Sequence, residues 1–158
     1  MKTLFATALV VFGLLACTPK VSAFDGMVNF NPGVKLGYTF GKQGGFTFGF
    51  EVSLTTNFTN KQIGVWSGVV LDVDFCEEWT RIHTGFEASA LGVGCDVGPS
   101  FILRNDSISY GVSIVPFLGV VAYPYYNYSY FENGLELHEV GSYFKLSMRV
   151  AGKPIRWN

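Results

Sequence analysis

The stretch Phe46–Phe58, FTFGFEVSLTTNF, decides how the rest of the chain is read. Phe46, Phe48, Phe50, Val52, Leu54 and Phe58 fall on one face of an extended chain, and Thr47, Gly49, Glu51, Ser53, Thr55 and Asn57 on the other. Successive side chains of a strand point to opposite faces, so this period of two predicts a strand and excludes a helix. The pattern recurs on both sides. In Val28–Phe40, Val28, Phe30, Val34, Leu36, Tyr38 and Phe40 oppose Asn29, Asn31, Gly33, Lys35, Gly37 and Thr39. In Ile63–Phe75, Ile63, Val65, Val69, Leu71, Val73 and Phe75 oppose Gly64, Gly68, Asp72 and Asp74. In His138–Val150, Val140, Phe144, Leu146, Met148 and Val150 oppose Glu139, Gly141, Lys145, Ser147 and Arg149.

Turn residues divide these segments at Lys42–Gly45, Thr59–Gln62, Glu77–Thr80, Arg104–Ser107 and Glu132–Gly134. Between Arg81 and Arg104 the apolar positions change from even (Ile82, Phe86, Ala88) to odd (Val93, Val97, Phe101), which predicts a tight turn near Ala90–Gly94. Ile108–Phe131 keeps one phase but is too long for one spanning strand of roughly ten residues. Pro116 and Gly119 mark its break. The count is eight strands, the smallest number found in single-chain bacterial barrels.

Only 15% of the 158 residues are charged, 16% are aromatic, and nineteen are glycine. A net charge of −1 leaves no electrostatic footprint for nucleic acid. A soluble barrel would turn its apolar face inward and a charged face to water. Here the polar face is mostly Gly, Ser, Thr and Asn with isolated charges, a poor aqueous surface but a good barrel interior. The expectation is an all-β, single antiparallel up-and-down transmembrane β-barrel over residues 24–158, its Phe, Tyr and Val facing outer-membrane lipid. A soluble periplasmic β-barrel binding a hydrophobic ligand is the alternative.

Residues 1–23 read as a cleavable signal peptide: a basic Met1–Lys2–Thr3 start, the apolar run Leu4–Ala16, and small residues leading to cleavage after Ala23. The apolar run is shorter than the roughly twenty residues a helical span needs. Leu14–Leu15–Ala16–Cys17 offers a second reading, a lipoprotein anchored at Cys17. Either route leads to the envelope of a Gram-negative bacterium, and the first to its outer membrane.

In pattern, the mature chain resembles the small eight-stranded outer-membrane barrels such as the OmpX- and OmpA-like proteins. The resemblance implies their fold and location. Where such barrels end on an aromatic residue, this chain ends Gly152–Lys153–Pro154–Ile155–Arg156–Trp157–Asn158, with Trp157 penultimate.

The inward phase collects a lumen charge network of Lys35, Glu51, Asp72, Asp74, His83, Glu87, Asp96, Glu139, Lys145 and Arg149. Centring the hairpins on their turns sets Lys35 opposite Glu51, Asp74 opposite His83, and Glu87 opposite Asp96. A dry lumen penalises an unpaired charge heavily, so the expected role is a structural plug. The competing role is catalysis of lipid modification through His83 oriented by Asp74. Neither His83 nor His138 has a serine two residues on, and Asp106–Ser107 is ordinary turn chemistry. No nucleophile is assigned, so the expectation is no enzyme, with no catalytic residue and no cofactor. Two histidines and two mature cysteines lack metal-ligand spacing. Within Tyr123–Tyr130, Tyr126, Tyr128 and Tyr130 take the outward phase, as in an interfacial aromatic girdle. Cys76 and Cys95 fall at opposite ends of the proposed barrel and are expected to be free thiols.

Overall fold

The computed structural model describes residues 27–41, 43–57, 64–104, 107–119 and 122–151. The leader with its boundary after Ala23, Cys17, Asp106, the whole Thr59–Gln62 turn with the flanking Phe58 and Ile63, and the segment 152–158 lie outside them. Eight strands follow in order: β1 (Met27–Phe40), β2 (Gly45–Asn57), β3 (Val65–Phe75), β4 (Thr80–Ala90), β5 (Val93–Arg104), β6 (Ser107–Leu118), β7 (Ala122–Phe131) and β8 (Glu136–Lys145). Each pairs antiparallel with the next, and β8 pairs with β1, closing the sheet into an up-and-down barrel. Closure leaves none of the eight with a free edge, the feature that otherwise invites aggregation. A short β9 (Met148–Ala151) continues β8 along β1.

The expected single strand His138–Val150 is therefore two pieces. The reason is Pro32. It falls in β1 between the pairs Gly33 with Lys145 and Phe30 with Met148, opposite the Leu146–Ser147 break. Leu146 N–H donates to the Pro32 carbonyl at 2.9 Å, but proline has no N–H to return. Two other prolines mark ladder gaps in the same way. Pairing of β4 with β5 skips Thr84 and Gly85, opposite Gly98 and Pro99. Pairing of β6 with β7 skips Val115 and Pro116.

The turn near Ala90–Gly94 is the two-residue loop Leu91–Gly92, with φ of 55° and 80° at the two positions. Positive φ at both central residues makes it the type I′ turn whose twist suits a hairpin, a geometry glycine takes freely and leucine does not. Ile108–Phe131 breaks after Leu118 and resumes at Ala122 in the same phase.

Following paired residues once around the barrel gives its geometry. Phe30 pairs with Leu54, then come Val69, Phe86, Val97, Ile114, Tyr128 and His138, and the path returns to β1 at Phe40, ten residues on. Eight strands with a stagger of ten tilt by about 40–45° and enclose a lumen that side chains can fill. The lumen is layered. Trp79, Ile102, Phe131 and Leu137 pack into an apolar cap near the turns that follow β1, β3, β5 and β7. Val115, Phe117, Tyr125 and Tyr143 form a second apolar layer toward the opposite, terminal end, where β1 starts and β9 finishes. Charged groups fill the space between.

Candidate functional site

The lumen is built around Arg81. Its guanidinium reaches Asp74 at 2.5 and 3.1 Å, Glu139 at 2.6 Å and the Ser129 hydroxyl at 3.4 Å. Lys35 donates to Asp74 at 3.0 Å and to Asp72 at 3.3 Å. Tyr125 and Thr47 both donate to Glu139. The glycines Gly37 and Gly141, paired across β1 and β8, make room for this contact: a Cβ on either would lie 2.5–2.6 Å from the Tyr125 hydroxyl. Nearer the terminal end, Lys145 forms ion pairs with Glu51 and, at 3.3 Å, with Glu87. Rings stand in for missing carboxylates around both ammonium groups, with Tyr143 at 5.2 Å from Lys35 and 4.9 Å from Lys145.

Nine of the ten residues expected in the lumen are inward and buried or nearly so. Arg149 is not. It lies on β9 at the terminal rim with an exposed side chain. Two of the three expected cross-strand pairs are also corrected. Lys35 faces Gly49, and Glu51 faces Gly33. Asp74 faces Arg81, and His83 faces Asp72. Glu87 does face Asp96. The first and third hairpins turn one position earlier than expected, which slips each partner by two residues and leaves every side chain on its face.

Arg81 and Ser100 are among the residues of the site missed from the sequence, as are Tyr125, Tyr143, Ser113 and Ser129. Arg81 has the inward parity of His83 but stood at a segment boundary. Ser100 is directly opposite His83, and its hydroxyl lies 3.0 Å from His83 Nδ1. The β4–β5 centre that pairs Glu87 with Asp96 also pairs His83 with Ser100, so the signal was present. Ser100, Ser113 and Ser129 continue as a hydroxyl ladder at 2.5 Å spacings. A serine beside an imidazole is the arrangement for nucleophilic attack, but His83, Ser100 and Ser113 are each 0% exposed, so no substrate reaches them in this conformation. Among the described residues no three histidine, cysteine, aspartate or glutamate side chains are grouped to hold a metal ion.

The outer face is apolar. Of the outward-phase strand residues described, only Glu136 and His138 carry a charged or imidazole side chain, and both sit beside the β7–β8 turn. Tyr126, Tyr128 and Tyr130 point outward there, with the Tyr126 hydroxyl 2.6 Å from His138 Nδ1. Tyr38, Phe40, Phe46, Phe75 and Tyr110 extend the aromatic band around the same end, while Val65, Val69, Val93, Leu118 and Met148 cover the terminal half.

No family model and no curated protein matches the chain. Among solved structures, a de novo designed transmembrane β-barrel is similar at 12% identity and a TM-score of 0.46, over 75% of this chain and 95% of that one.

Proposed function

We propose that this chain is a small outer-membrane β-barrel of structural role, spanning the lipid, with a plugged lumen and no catalytic activity. The observation that carries the reading is the outer face: among the described outward-phase strand residues, none away from the β7–β8 rim carries a charge. Strands of this length and tilt give that belt a height of about 25 Å, the apolar band of an outer-membrane barrel. In water such a surface would aggregate. In hydrocarbon it is at rest, and the closed ladder satisfies the backbone. The small eight-stranded outer-membrane barrels are the kin this reading implies, and residues 1–23 supply the export it requires.

The plug supports the passive half of the reading. Arg81, Lys35 and Lys145 tie carboxylates from β2, β3, β4 and β8 across the lumen. Membrane fractionation tests the location: the protein should pellet with outer membranes and require detergent for release. Recovery from the periplasmic wash as a soluble monomer would favour the soluble ligand-binding barrel. Planar bilayers should show no channel steps. The second reading, lipid modification, rests on the His83–Ser100 contact. Lipid A of unchanged mass on expression in active membranes is expected, and a shifted mass lost in Ser100→Ala would establish the enzyme instead.

A further inference from the structure

A cavity of about 470 Å³ opens at the terminal end of the lumen, a size typical of small-molecule sites. Three rings line it: Phe117, buried in the second apolar layer, and Trp66 and Tyr123, each half-buried. Asn29, Asn31, Thr55, Ser89 and Ser147 add amides and hydroxyls. Glu87 and Lys145 complete the charged part of the lining and are paired with each other at 3.3 Å. The polar groups are placed for a ligand. Asn31 is held in position by donating to the Ser53 and Thr55 hydroxyls at 3.2 and 3.1 Å. Asn29, on the same face of β1, and Ser89 and Ser147 make no side-chain hydrogen bond to another described residue, so their groups are open to the cavity.

This lining disfavours two classes of ligand. An ion of either sign meets its opposite already paired, because the carboxylate and the ammonium neutralise each other. A hydrocarbon ligand would strip water from the amides and hydroxyls and return no hydrogen bond, a cost for each group. The molecule that suits both halves of the lining is neutral, with flat C–H faces to lie on rings and hydroxyls at its edges to meet amides and hydroxyls. A sugar ring has that construction. We propose that this vestibule is a binding site for a neutral saccharide, one ring of which packs against Trp66 and Tyr123 while its hydroxyls bond Asn29, Asn31 and Ser89. The site goes beyond the structural role and does not require an open pore.

Calorimetric titration of the full chain in polyoxyethylene micelles, whose headgroups carry no sugar, tests it with cellobiose, maltose and diacetylchitobiose. Saturable one-site binding of at least one of the three is expected, with no heat of binding from agmatine or citrate. Trp66→Ala should weaken sugar binding about tenfold, the loss of one stacking surface. Tyr126→Phe, on the outer face, should leave it unchanged. Should Trp66→Ala fail to fold, Ser89→Phe, which fills the cavity from its wall, should abolish binding in a barrel whose circular dichroism is unaltered. The proposal is overturned if none of the three sugars binds saturably, if agmatine or citrate binds in their place, or if the Trp66 and Ser89 variants bind them as the native chain does.

Discussion

Glu51 shows what a single residue in this lumen depends on. Its carboxylate pairs with Lys145, while Lys35 is engaged by Asp72 and Asp74. Removing one member of a buried pair leaves the other charged and unsolvated, typically about 3–5 kcal/mol, whereas removing both is much milder. A double-mutant cycle of Glu51→Gln with Lys145→Met, read by urea unfolding in vesicles, should therefore give a coupling of about 1 kcal/mol or more. The same cycle with Lys35→Met should couple by less than about 0.5 kcal/mol. The reverse order would place Lys35 opposite Glu51, the pairing obtained by centring the first hairpin on Gln43. Leu91 is a second residue whose surroundings fix its fate. It is 78% exposed and held at a φ of 55°, where leucine is strained and asparagine is at ease. Leu91→Asn should stabilise the barrel by about 0.5–1 kcal/mol, and a loss of stability would contradict the turn type.

At the scale of strands, the faces were legible and the registers only in part. Phe46–Leu54 alternates so regularly that its inward and outward sides follow from period two alone, and the structure keeps them. A slip of two residues keeps every side chain on its face, so no hydrophobic pattern can detect it. The position of the turn alone sets it, and the turns before β2 and β4 are centred one residue earlier than their polar residues indicated. The break in β8 was hidden for another reason. Pro32 acts across strands, so the interruption appears in the partner's sequence rather than in Leu146–Ser147 itself. The faces carry two predictions. Val97→Arg, on the outward side of mid-β5, should cost about 2–4 kcal/mol in a bilayer, and Val93→Arg at the strand's end about 0–1. Equal costs would mean that the outer face does not cross a membrane. Cys76, in the β3–β4 turn, and Cys95, outward at the start of β5, are unbonded and at opposite ends. A water-soluble maleimide should therefore modify Cys76 and spare Cys95 in micelles. Recovery of a Cys76–Cys95 linked peptide would overturn the strand order.

For the whole molecule, eight strands and closure follow from segment count, but the stagger of ten does not. It is the accumulated sum of every hairpin register, so one two-residue slip changes it. The lumen network is legible as a set of inward charges and illegible as a set of partners for the same reason, since Arg81 meets Glu139 only after the barrel closes. What the molecule as a whole asserts is an inside-out arrangement: ion pairs within, hydrocarbon-like side chains without. A barrel of this kind, held by a closed ladder and shielded by detergent, stays folded in dodecyl sulfate until heated. Electrophoresis of unboiled and boiled samples is therefore the most direct measurement. The account predicts a compact, faster band without boiling and a slower band at the full chain mass after it. Identical migration of the two samples, from protein purified in buffer without detergent, would contradict it.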